Sequence, residues 1–148
     1  MQNLNFTKNL NPEETNKIKE AGIELNTNKN SYYLVGQEEG VKEQNRLENF
    51  IFLPIKTALK TYPWILEKYW WKLVDPQKDD YTKEVFDDFE GGYFIWLKKG
   101  HKEELPLQAC FYIKESYSKQ KVHNLIILEE ESELHILNGC ISNHKSSN

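Results

Sequence analysis

Apolar positions along this chain fall into two regimes. Before about residue 80 they recur at helical spacing in short segments, and beyond residue 90 they gather into blocks separated by charged connectors. NPEETNKIKEAG predicts a helix. Asn11 stands as N-cap and Pro12 at the first helical position, Glu13 and Glu14 meet the positive end of the dipole, and Gly22 is the stop. Residues 23–45 are polar and Asn-rich, with SYYLVG as a short strand followed by a turn. ENFIFLPIKTALKTYPWILEKYWWKLVDP predicts two short helices in tandem, opened by Pro54 and Pro63. Leu66, Trp70, Leu73 and Val74 form the apolar face of the second, which Pro76 ends at Asp75.

YFIWL (93–97), LPLQACFYI (105–113), VHNLIIL (122–128) and ELHIL (133–137) are strand-like, and the connectors KKGHKEE, ESYSKQK and EEES are too short for a crossover helix. YFIWL and LIIL are apolar at consecutive positions, whereas a sheet with one wet face alternates. These strands are therefore expected to be covered on both faces. Two architectures fit: a small β-sandwich with helices, or a parallel β-solenoid of stacked coils, and no clean repeat period chooses between them. In a solenoid, an end at residue 148 leaves the last coil open, which predicts self-association through exposed strand edges unless the tail caps them.

Composition narrows the roles. The 148 residues suffice for one domain with its own core, and 39% hydrophobic content with 13% aromatics lies in the globular range. A net charge of -4, 19 basic against 23 acidic residues, and Arg46 as the single arginine argue against nucleic-acid binding and against an anionic membrane surface. No window approaches the ~20 apolar residues of a membrane span, and the start carries no secretory signal pattern, which places the chain in the cytoplasm. Two cysteines, Cys110 and Cys140, outside any C-x-x-C pair, read as reduced thiols.

Nucleotide-binding loops and metalloprotease motifs are absent from the sequence. Its most suggestive cluster is His135, Cys140 and His144, residue types that ligate zinc or iron, although His135 and Cys140 would point to opposite faces of a regular strand. The plainer reading puts His135 on a solvated face and His144 in a polar tail. Glu129, Glu130, Glu131 and Glu133 read as a solvated turn, Cys110 as a buried small hydrophobe, and His123 as a strand-edge residue. Trp64, Trp70, Trp71 and Trp96 offer either packing or a stacking surface for a small ligand.

Several stretches together resemble one family. EAGIEL, YPWILEKYWWKLVDPQKDDYT, FEGGYFIWLKKGHKEELPLQACFYI and HNLIILEEESELHILNGC, in that order over most of residues 10–145, resemble the SufB/SufD scaffold proteins of the Suf iron-sulfur cluster assembly system, particularly the shorter archaeal-type members. The resemblance implies an α+β chain: an amino-terminal helical segment, residues 1–80, followed over residues 81–148 by the first coils of a right-handed parallel β-helix that breaks off early. It implies a scaffold component rather than an enzyme, with a SufC-like ATPase and a second SufB/SufD-like protein as partners. An iron-sulfur cluster belongs only to the full-length assembly. LNGC matches the family's glycine-cysteine motif, which makes Cys140 the candidate sulfur-relay or iron-ligand thiol, with Cys110 and His135 as weaker candidates. Tyr112 stands near a position where many SufB proteins carry arginine, a departure towards a SufD-like or archaeal role. The competing function is a small ligand- or protein-binding β domain without cluster chemistry.

Overall fold

Asn11 caps the first helix, α1 (Pro12–Glu20), through a reciprocal capping box: its Oδ1 accepts from Glu14 N at 2.8 Å, and its own N–H donates to Glu14 Oε2 at 3.0 Å. The computed structural model describes residues 9–43, 47–116 and 118–143. After α1 come β1 (Ser31–Val35), β2 (Glu38–Lys42), β3 (Phe50–Pro54), α2 (Ile55–Thr61), α3 (Trp64–Lys68) and α4 (Asp80–Asp87). β4 (Tyr93–Leu97), β5 (Leu107–Ile113), β6 (Leu125–Leu128) and β7 (Ile136–Ser142) complete the order.

The strands form two sheets, ordered β2-β1-β5-β7 and β3-β4-β6. They face each other across a core of Tyr32, Leu34, Phe50, Phe52, Tyr93, Ile95, Leu97, Leu107 and Ala109, to which both sheets contribute. On the outer face of the first sheet, Ile18 of α1 and the following Ile23 and Leu25 cover Tyr33, Cys110 and Tyr112. On the outer face of the second, Ile55, Ala58 and Ile65 of α2 and α3 cover Leu53, Phe94 and Leu125. This layering explains why YFIWL is apolar throughout: Tyr93, Ile95 and Leu97 face the other sheet, while Phe94 and Trp96 face the helices.

The right-handed parallel β-helix expected from the resemblance is not formed. Such a coil needs every strand parallel to its neighbours, yet each sheet here is mixed. β1 pairs antiparallel with β2 and parallel with β5, and β3 pairs antiparallel with β4, which is parallel to β6. The antiparallel pairs have local causes. Gly36, at a φ of 62°, turns β1 back on β2 within two residues, and β3 leads into the helical hairpin that returns the chain as β4. The result is a small α+β unit with two open sheets, neither closed nor coiled.

The first tandem helix begins directly after Pro54, and residues 50–54 before it, which the hydrophobic pattern left unassigned, form a strand with Phe50 and Phe52 in the intersheet core. One further expectation is corrected. The helix opened by Pro63 stops at Lys68, and the stripe continued by Leu73 stays in water, that side chain being 95% exposed. β2 and α4 are not apparent from the hydrophobic pattern, since both are polar and carry at most one buried residue.

Candidate functional site

β7 is longer than the run ELHIL and shifted towards the carboxy terminus, so that it includes the whole of LNGC. It is the edge strand of its sheet and pairs with β5 in a register that sets Cys140 beside Phe111 and Gly139 beside Cys110. Side chains alternate along a strand, so Asn138, Cys140 and Ser142 share the intersheet face, while Gly139 and Ile141 face α1. Gly139 is required there, because a Cβ would sit 2.9 Å from Cγ1 of the buried Ile23. Cys140 is exposed and lines an open groove of about 440 Å³ between the sheets, together with Phe111, Val122, Asn124 and Asn138.

Cys110 faces the opposite way. It is buried against α1, and burial, followed by the neighbouring Cys140, pushes its thiol up to about 12. A protonated, enclosed thiol is a poor nucleophile and ligand, and the two cysteines, pointing to opposite faces of the sheet, do not converge. His135 is exposed and precedes β7; its carbonyl accepts from Leu107 N at 2.8 Å, a pairing contact rather than a site. His144 lies outside the described residues. Among the described residues no group of three or more His, Cys, Asp or Glu converges on a metal position. The glutamates of the third connector are engaged singly: Glu129 accepts from Trp96 Nε1 at 2.9 Å and Lys99 N at 2.8 Å, Glu130 pairs with Lys99 and Glu133 with Lys102. The Lys99 N–H and then the Trp96 indole hold the Glu129 carboxyl below its usual range.

The tryptophans pack against other rings rather than presenting open faces. Trp64 and Trp96 meet edge-on at 5.2 Å, and Trp70 and Trp71 hold the His123 imidazole between them at 4.1 and 4.3 Å. Burial lowers the His123 pKa from its ordinary 6.5. The unfolded chain therefore takes up this proton first, and stability contributed by a neutral His123 is present above about pH 6.5 and falls as pH drops below it. The melting temperature should decline between about pH 7.5 and pH 5, and His123→Phe should flatten that decline. An equal slope in the variant would remove His123 as the cause.

Three residues around the groove carry no motif that marks them in the sequence. Tyr93, 3% exposed, donates its main-chain N–H to Asn124 Oδ1 at 3.0 Å and its hydroxyl to Asn138 Oδ1 at 3.4 Å. The available signal was polarity out of place: Asn124 and Asn138 each interrupt an apolar strand run.

No family model matches the chain. It is 38% identical over 127 residues to an iron-sulfur cluster assembly SufBD family protein of Archaeoglobus fulgidus, covering 85% of this chain and 34% of that protein. A SufBD family protein of Methanothermobacter thermautotrophicus is 42% identical over 98 residues, 63% of this chain and 23% of the relative. The iron-sulfur cluster assembly protein SufB of Bacillus subtilis is 33% identical over 100 residues, 68% of this chain and 22% of its own length. The chain thus spans about a third or less of the curated relatives it matches. Over that stretch it belongs to the SufBD family of iron-sulfur cluster assembly proteins.

Proposed function

We propose that this chain serves iron-sulfur cluster assembly as a scaffold component, without turnover of its own, and that Cys140 is the thiol through which it handles sulfur or iron. The observation that supports this most directly is the contrast between its two cysteines. Cys140 is exposed in a groove between the sheets, whereas Cys110 is buried with its pKa raised. A reachable thiol can form the thiolate needed either to accept sulfur or to ligate iron. In the sulfur reaction the Cys140 thiolate attacks the outer sulfur of a donor persulfide, the donor's S–S bond breaks, and the donor leaves as a thiolate. No external oxidant is needed, because a disulfide-type bond is exchanged for another. In the iron reaction Cys140 supplies one ligand, and the others come from beyond the described residues.

A SufC-like ATPase and a second SufB/SufD-like protein are the partners this reading implies, in the cytoplasm; it rests on the family for both. No helix among the described residues is long and apolar enough to cross a membrane. The test is reconstitution with the complete assembly machinery. Cys140→Ser should cut cluster yield to a small fraction, while Cys110→Ala should leave it unchanged. An undiminished yield from Cys140→Ser would reduce the residue to packing.

A further inference from the structure

We infer that the side of α4 facing the turn at Trp71 is a docking surface for a basic amphipathic helix of a partner protein. That helix lays its apolar face into the groove between α4 and the turn, and sets its lysines or arginines against the acidic residues beside it.

Among the described residues, α4 is the one helix that buries no residue. Ile18 of α1, Ile55 and Ala58 of α2 and Ile65 of α3 are each fully enclosed. The sequence of α4 is nonetheless amphipathic. Tyr81 and Val85, one turn apart, line an open groove of about 400 Å³ together with Trp71, Val74 and His123. Tyr81 is 80% exposed and Val74 is 42% exposed, while Phe86, itself half in water, meets Trp71 edge-on at 5.5 Å. Short helices owe their stability to packing of an apolar face, so a helix of eight residues with that face still wet lacks a neighbour. A continuous apolar surface of this kind marks an interaction site, which single exposed side chains do not.

Trp71 bears two costs at the same place. Its backbone has a φ of 54°, in the left-handed region that a bulky residue rarely adopts, and its indole N–H is buried with no acceptor among the described residues. Such costs gather where a segment is held for function rather than for stability.

Charge selects the occupant. Residues 75–90 hold seven acidic residues against two lysines, a larger excess than the net -4 of the whole chain. Lys119 and Lys121 pair with Glu84 and Asp88, at 3.3 and 2.6 Å, whereas Asp75, Asp80 and Asp87 form no ion pair among the described residues. A second copy would set this acidic segment against itself across a two-fold axis, and the phosphates of nucleic acid or of an anionic membrane meet the same repulsion. A basic protein segment fits. Because the main-chain groups of α4 are bonded within the helix, that segment binds through side chains presented from a helix and not as an added strand.

The probe is a designed, dye-labelled peptide of about 18 residues, with leucines on one helical face and lysines on the other, titrated into the full chain. Fluorescence anisotropy should give a micromolar Kd that weakens as NaCl is added. In a proton–nitrogen correlation spectrum the Trp71 indole N–H should move, while that of Trp96, held by Glu129 at 2.9 Å, should stay. Tyr81→Ala and Leu73→Ser should each weaken binding about tenfold and leave the melting temperature within about 2 °C, since both side chains lie in water. Leu105→Ser removes an equally apolar side chain, 42% exposed and outside the groove, and should leave the affinity unchanged. Asp75→Asn combined with Asp80→Asn should flatten the dependence on NaCl. A peptide of the same composition with its leucines scrambled off one face should bind about tenfold more weakly. Equal binding of the scrambled peptide would reduce the contact to bulk charge, undiminished affinity in both Tyr81→Ala and Leu73→Ser would place it elsewhere, and no binding to the unsubstituted chain would remove it. Each overturns the inference. So does sedimentation in which the chain self-associates and Tyr81→Ala abolishes this, which would give the surface to a second copy.

Discussion

Gly92→Ala should destabilise the fold by about 4 kcal/mol, at the upper end for a single substitution. Gly92 has a φ of 137°, a region open to glycine and strained for any residue with a Cβ, and the added methyl would sit 2.0 Å from the carbonyl oxygen of His123. That oxygen belongs to the main chain, so no rotamer relieves the clash. The segment entering β6 would have to move off the segment entering β4, where a parallel bridge joins Gly91 to Val122 and His123 N donates to Gly91 O at 3.0 Å. Both main-chain groups of Gly92 are also engaged: its N–H reaches Tyr32 Oη at 2.9 Å and Glu39 Oε2 at 3.1 Å, and its carbonyl accepts from Ile55 N at 2.8 Å. Denaturant unfolding measures the loss, and Gly100→Ala is the control. Gly100 has a φ of 76° with nothing within 4 Å of its Cβ position, so it carries backbone strain alone, about 1 kcal/mol. Equal costs at the two positions would mean that the contact with His123 is not what Gly92 avoids.

What could be read in the sequence followed the range of the interactions involved. The helix start is local, and Asn11 as N-cap and Pro12 as the first helical residue stand where the sequence placed them. The doubly covered strand at 93–97 was legible because an unbroken apolar run needs two dry faces. Pro54 marks the start of a helix but says nothing about what precedes it, so the strand at 50–54 went unmarked, although Phe50 and Phe52 alternate inward with Ile51 outward. The aromatic stretch after Lys68 reads as helix because its spacing is helical. Trp71 instead adopts a φ of 54°, and with Trp70 it encloses His123, a contact across about fifty residues of chain that periodicity cannot show.

The groove had the same limitation. Cys140 was identified through the LNGC resemblance, but its setting is assembled from β5, the approach to β6 and β7, three segments whose register is fixed by parallel pairing rather than by any turn. The resemblance also led to the β-helix, which the mixed pairing contradicts. The resemblance singles out Cys140, and the structure shows what surrounds it.

Gln108→Leu should cost about 3 kcal/mol although leucine nearly matches glutamine in volume. Gln108 is fully buried, and its amide is matched to one strand-like segment: Oε1 accepts from Glu24 N at 2.8 Å, while Nε2 donates to Glu24 O at 2.9 Å and Ser31 Oγ at 3.2 Å. Leucine removes the partner of the Glu24 N–H and carbonyl and of the buried Ser31 hydroxyl. Gln108→Glu should be worse at neutral pH, because it buries a charge beside the Glu24 carbonyl and can no longer donate there. Burial raises such a carboxyl's pKa, so this variant should regain stability as pH falls and the acid protonates, opposite to the trend expected from His123. The consequence reaches the thiol from behind. Gln108 anchors the segment that holds Ile23 over Gly139, so either substitution should release amide protection along β7, measured by hydrogen exchange, and protection unchanged in β7 would place the anchoring elsewhere.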